Sequence, residues 1–238
     1  MRKALFAIPA YFKTETTIAG IMAGDLFTLG EVLGAAVEEQ VVRTLNEIRM
    51  VWDPETKYQL YSFIRQPQVF PDVLLRSSDD PDDIIMGIEL KSWYLLAKEG
   101  VPTFRFAVTQ GACNAWDLLM VVPWALSNVL AGAPVVYTPW VENTKYAARF
   151  RNHWWQNVRV SKGSDTSINE PEGAKPYPKK SDKIEDKPVS DAGGNFGRMA
   201  RTRIMESYIQ DSLATMLCGV RADAWIDFFR GAPKSEDQ

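Results

Sequence analysis

Two acidic residues and a lysine carry the arrangement in this chain best suited to chemistry: Asp72, in Pro71-Asp72, and the triplet Glu89-Leu90-Lys91. Paired carboxylates suit a hard divalent cation such as Mg²⁺, and an ammonium beside them can stabilise negative charge developing on a phosphate. Glu-x-Lys is short, and the chain contains three copies. Glu55-Thr56-Lys57 follows Asp53-Pro54 in a turn-like segment, and Glu185-Asp186-Lys187 lies in a polar, proline-containing stretch, so both read as solvated charges. Only Glu89 and Lys91 sit inside an apolar run, over residues 84–93.

That run is rich in β-branched and large apolar residues and is bounded by an Asp/Pro cluster, which predicts a strand. Side chains alternate along a strand, so Glu89 and Lys91 share one face while Ile88 and Leu90 share the other, the core face. Residues 69–75 predict a second strand, and the Asp/Ser/Pro composition of 76–83 predicts the turn between them. An antiparallel hairpin folded near residue 80 places Asp72 opposite Glu89. Cross-strand neighbours on one face lie about 4.5–5.5 Å apart at Cβ, close enough to share one cation. Pro81-Asp82, the rival pair, belongs to the turn itself.

Pro71-Asp72 followed by Glu89-Leu90-Lys91 on an apolar strand resembles the PD-(D/E)xK nuclease superfamily, and within it the type II restriction endonucleases. The resemblance covers residues 28–158. It implies an α/β fold with a restriction-endonuclease-like core: a helix, antiparallel strands, a second helix and a further strand. It further implies Mg²⁺ as cofactor, held by Asp72, Glu89 and the backbone carbonyl of Leu90, with Lys91 at the attacking water. The family commonly carries a glutamate on the first helix, and Glu38, one turn after Gly34, is similar to that arrangement; Glu39 is the neighbouring alternative. Double-stranded DNA as substrate and a homodimer acting on palindromic sites follow from the same resemblance. A repair or junction-resolving nuclease of the same fold, and a catalytically silent DNA-binding protein, are the competing readings.

Composition narrows the alternatives. His153 is the single histidine, which weighs against a zinc hydrolase or a Ser-His-Asp hydrolase. Cys113 and Cys218 are too few for a metal knuckle or disulfide framework and read as thiols of a cytoplasmic protein. No glycine fingerprint for dinucleotides and no nucleophile elbow is present. No apolar run approaches the ~20 residues of a membrane span. The N-terminal residues 1–10 faintly imitate a signal peptide, but Pro9 interrupts the run and Lys13 and Glu15 follow at once.

The formal net charge is −3, yet residues 145–203 hold 13 Lys/Arg against 7 Asp/Glu. A basic region of this kind can bind nucleic acid although the whole chain is acidic. Residues 1–158 are therefore expected to form the catalytic core, and residues 159–238 a basic loop and helical extension packed on it.

The remaining elements follow from periodicity. Apolar residues at three- and four-residue spacing predict a helix over 28–49. Strands are expected over 57–64, 103–109, 118–123 and 134–138, with Pro123 ending its strand. A helical turn is expected at 94–98. A helix over 143–156 carries Tyr146, Phe150 and Trp154 as its core stripe. Residues 162–190 read as a long loop able to wrap a duplex, and helices are expected over 198–217 and 221–230. Lys162, Lys179 and Lys180 in the loop, and Asn195, Arg198, Arg201 and Arg203 around the entrance of the 198–217 helix, are the candidate DNA contacts.

Overall fold

In the computed structural model, which describes residues 1–66, 68–159, 164–191 and 193–231, the apolar run over 84–94 forms the longest strand of a mixed, mostly antiparallel sheet. Two helices, α1 (Arg2–Tyr11) and α2 (Leu29–Glu47), and one further turn, α3 (Arg49–Trp52), precede it. An antiparallel meander follows: β1 (Tyr61–Arg65), β2 (Val73–Ser77) and β3 (Ile84–Tyr94). After residues 95–117, β4 (Leu118–Leu126) enters parallel to β3. The chain then turns back as β5 (Pro134–Val136) and β6 (Trp140–Asn143), which pair with the two halves of β4. Next come α4 (Thr144–His153), a short ladder of β7 (Ile168–Asn169) with β8 (Lys187–Pro188), and α5 (Glu206–Leu213). A small hairpin, β9 (Met216–Leu217) with β10 (Val220–Arg221), leads into α6 (Ala222–Arg230).

Helices cover both faces of the sheet, and the alternation along β3 decides what each face meets. Met86, Ile88 and Leu90 join Leu5, Leu33, Val37, Ile226 and Phe229 in one apolar cluster, beneath α1, α2 and α6. Trp93 on the opposite face joins Leu119, Val121, Ala147, Ala148 and Ile209 in a second cluster, beneath α4 and α5. All nine residues of β4 are buried, which is why it reads as an unbroken apolar run rather than an alternating one. Each apolar side chain so buried contributes about 1.5–3 kcal/mol relative to exposure.

Several expectations need correction. The second helix of the expected core, between β3 and β4, does not form: residues 95–117 carry only a 3₁₀ turn at Gln110–Ala112. Gly100 and Pro102 interrupt this stretch, and the helical turn expected at 94–98 is a single hydrogen-bonded turn, closed by Ala97 N–H to Tyr94 O at 3.0 Å, that does not extend into a helix. Residues 103–109 make isolated bridges, Arg105 to Arg198 and Val108 to Glu185, rather than a strand of the sheet. Pro123 lies inside β4, because it falls where the returning chain passes from β5 to β6 and the ladder is interrupted.

The expected helix over 198–217 is divided: Met199–Thr202 is a 3₁₀ turn, Arg203 takes a left-handed conformation at φ 67°, and α5 begins only at Glu206. The arginines therefore precede the α-helix rather than occupying its first turns.

The inner face of α4 is also not the aromatic one. Thr144, Ala147, Ala148 and Arg151 are buried, while Tyr146 is exposed. Arg151 is buried because it pairs with Asp186, itself buried, and donates to the carbonyls of Phe106 (2.6 Å) and Val108 (3.0 Å). Asp186 belongs to the stretch read as solvated; here its own N–H donates to Ala107 O at 2.8 Å. Alanine at position 186 leaves the guanidinium buried without its carboxylate. Asp186→Ala is expected to lower stability by about 3–5 kcal/mol, measured by urea unfolding. A loss below about 1 kcal/mol, the range of exposed pairs, would contradict the docking of this segment.

Candidate functional site

The site is built where β3 outruns β2. Their ladder pairs Leu75 with Met86, Leu74 with Gly87 and Val73 with Ile88, and there it ends. Immediately before β2 lies Phe70-Pro71, joined by a cis peptide bond. Pro71 packs directly over β3 at Gly87: a Cβ at that position would sit 2.1 Å from Pro71 Cγ. A glycine inside this buried strand is thus required by close approach, and Asp72 follows at the strand edge.

Beyond the end of the ladder, the N–H groups of Leu90 and Ser92 have no strand partner on the β2 side, and carboxylates receive them. Leu90 N–H donates to Asp72 Oδ2 at 2.9 Å, and Ser92 N–H to Glu38 Oε1 at 3.0 Å. Glu38 reaches that position because α2 presses on β3 through glycines one and two turns earlier. A Cβ at Gly34 would lie 2.7 Å from Ser92 Oγ, and one at Gly30 3.3 Å from Tyr94 Cβ. Glu39 points to solvent and pairs with Arg43 at 2.6 Å, so the choice between neighbouring glutamates resolves to Glu38.

Lys91 closes the cluster. Its Nζ lies 3.0 Å from Asp72 Oδ2 and 2.8 Å from Glu89 Oε1, while Asp72 N–H donates to Glu89 Oε2 at 3.3 Å. Arg65, at the end of β1, approaches Glu38 Oε2 at 3.5 Å. Glu89 is 8% exposed. Burial pushes its carboxyl up to about 7, against the pull of Lys91 and with the charge of Asp72 adding to the rise. Burial alone would lower the Lys91 ammonium, but Glu89 and Asp72 together hold it above its ordinary value. Burial raises Glu38, opposed by the Ser92 N–H and by Lys91.

The donor chemistry fits a hard cation. Asp72 and Glu89 converge on one point, which the Lys91 ammonium occupies. The N–H and C=O of a strand residue project to the same side, so the Leu90 carbonyl faces the same edge as its N–H. Among the described residues no group of three or more His, Cys, Asp or Glu forms a metal site. Two carboxylates with a carbonyl suit Mg²⁺, which keeps several waters and binds through one or two carboxylates.

The candidate DNA contacts are dispersed. Lys162 lies outside the described residues. Lys179 and Lys180 are exposed, and Lys180 Nζ donates to Gln68 Oε1 at 2.8 Å, close in sequence to Pro71-Asp72. Arg201 donates to Asn195 Oδ1, and Arg198 Nε to Gly194 O at 3.3 Å. Arg203 is exposed in its left-handed turn. Reading the sequence missed Arg65, Arg105 and the Arg151–Asp186 pair. These residues stand outside any motif, and long-range packing alone brings them into place.

No protein-family model matches the chain, and no curated protein matches it in sequence.

The raised carboxyl of Glu89 has a consequence for stability. Between its ordinary value of 4.5 and about 7, the folded protein holds a proton there that the unfolded chain has released. Folding then takes up a proton, and stability falls as pH rises through that window, by up to about 1.4 kcal/mol per pH unit. Wild-type stability minus that of Glu89→Gln, measured by urea unfolding in metal-free buffer, should therefore fall steadily from pH 5 to 7 and level off above. Parallel curves would show that Glu89 is not the buried acid described.

Proposed function

We propose that this protein is a Mg²⁺-dependent endonuclease of the PD-(D/E)xK class, hydrolysing phosphodiester bonds in double-stranded DNA in the manner of a type II restriction endonuclease. The observation that carries the reading is the convergence of Asp72, just before β2, and Glu89, on β3, on the Lys91 ammonium. The order of elements supports it. A helix (α2), three antiparallel strands and a further strand parallel to the third appear in the sequence that the family's core has. The loop over 95–117 stands in place of the family's second helix.

Asp72, Glu89 and the Leu90 carbonyl would hold the cation. When bound, Mg²⁺ supplies Lewis acidity at the phosphate and a more readily ionised water. Lys91, kept protonated by two carboxylates, serves as a charge rather than a base: it holds a phosphate oxygen and stabilises the pentavalent transition state. The proton of the attacking water leaves to solvent or to a phosphate oxygen. Glu38 fixes the β3 edge through Ser92 and adds negative charge at the rim of the site.

Plasmid DNA incubated with the protein and Mg²⁺ tests the proposal. Cleavage should disappear in Asp72→Ala, by at least about a hundredfold, while binding of the duplex in EDTA survives. Discrete fragments from linear DNA indicate sequence-specific restriction, whereas a requirement for branches or lesions indicates a repair nuclease. DNA binding without cleavage under any divalent cation would leave a catalytically silent DNA-binding protein and overturn the proposal.

A further inference from the structure

Glu89 opens into a cavity of about 320 Å³ whose walls come from segments outside the motif, residues 105–108 on one side and 185–188 on the other. Arg105 and Lys187 are the two cations on those walls. Among the described residues neither makes an ion pair. The carboxylates they share the cavity with are largely committed elsewhere. Asp186 is paired with Arg151, and Asp191 accepts the N–H groups of Asn195 (2.6 Å) and Phe196 (3.2 Å). Glu89 is engaged by Lys91, and Glu185 is exposed.

The position of Arg105 is built rather than incidental. Its guanidinium donates to Gly194 O and lies so close over that residue that a Cβ at Gly194 would meet Nη2 at 2.3 Å. Gly194 has φ +60°, so glycine serves both the turn and the approach. The backbone of residue 105 is further fixed by its bridge to Arg198, and Phe106 N–H donates to Gly197 O at 2.7 Å. Lys187 is placed through the neighbouring Asp186, whose burial against Arg151 anchors the opposite wall.

The cavity does not end there. Glu185 and Lys187 also line a larger one, of about 550 Å³, with Lys179, Lys180 and Lys183 on its walls. That cavity reaches Phe70 and Gln68, the approach to Pro71-Asp72. Cations thus lead from Lys179 to Arg105 past the carboxylates of the site.

We infer that the cavity between Arg105 and Lys187 seats a backbone phosphate of the nucleic-acid strand that enters the Asp72–Glu89 site, with Arg105 as its principal binding residue. A planar guanidinium can grip two phosphate oxygens at once, and Lys187 supplies a second charge from the facing wall. This inference rests on the nuclease reading for the identity of the strand, but it concerns residues outside the motif. Phosphate contacts set affinity and its salt dependence without reading sequence.

The test is fluorescence anisotropy of a labelled 30-base-pair duplex of arbitrary sequence, titrated in EDTA over a series of NaCl concentrations. Removing one phosphate contact should weaken binding, about tenfold at low salt, and flatten the slope of log K against log salt by about 0.9. Arg105→Ala is expected to show both effects and Arg105→Ala/Lys187→Ala about twice the change in slope. Arg105→Lys should restore the slope but not the full affinity. Circular dichroism melts matching wild type exclude unfolding as the cause, a readout that a merely structural role for Arg105 would move. A wild-type slope in Arg105→Ala overturns this inference and leaves the nuclease proposal untouched. Loss of slope in a protein that never cleaves DNA with Mg²⁺ supports the phosphate seat and overturns the nuclease proposal. Absence of duplex binding by wild type at all salts overturns both.

Discussion

The contact of Pro71 with the bare Cα of Gly87 is the constraint on which the site depends. It brings the chain before β2 onto the face of β3, so that Asp72 arrives beside Glu89 and Lys91 rather than in solvent. The ladder itself ends one residue earlier, at Val73 and Ile88. Without that contact, Leu90 and Ser92 would expose unpaired N–H groups at a sheet edge, a costly and aggregation-prone arrangement. Carboxylates from two different elements take those N–H groups instead. The same residues therefore finish the sheet and assemble the acidic cluster.

Burying charge on this scale is expensive. A carboxylate and an ammonium moved out of water lose several kcal/mol of hydration each, and their mutual attraction recovers that only with good geometry. The cluster meets the condition in part: each acidic group has a backbone N–H or Lys91 as partner, yet the Glu89 carboxyl is still pushed up to about 7. Excess negative charge held in a partly dry place is what a divalent cation would relieve. Arg151 and Asp186 show the contrasting use of a buried pair, since there the charges join two segments and both side chains are almost wholly shielded from solvent.

How much of this was legible depended on whether the determining contacts were local. Alternation along 84–94, the turn composition of 76–83 and the apolar spacing of 29–47 are local signals; they located β3, α2 and the approach of Asp72 to Glu89, whereas β2 runs over Val73–Ser77, two residues past its expected end, with Asp72 just before it. β4 was legible as a strand because a run buried on both faces reads as apolar throughout. What could not be read were features set by packing at long range. The burial of Arg151 had no local signal because its carboxylate lies 35 residues away, in a stretch whose composition signalled a solvated loop. Pro123 looked like a strand end because nothing local revealed that the neighbouring chain breaks its ladder there. The arginines at 198–203 looked like the first turns of a helix because the left-handed turn at Arg203 leaves no glycine signature. Choosing Glu38 over Glu39 needed the rotation of α2, which Gly30 and Gly34 set by contact with β3.

The central proposal is that the Asp72 and Glu89 carboxylates form a hard-cation site beside Lys91. Titration calorimetry with Mn²⁺, an oxygen-seeking ion close to Mg²⁺ in its chemistry, tests it most directly. Wild type should bind saturably at this site, and the heat should vanish in both Asp72→Asn and Glu89→Gln while their folded structure persists. Binding that survives either substitution, or no binding by wild type at pH 8, would contradict the account.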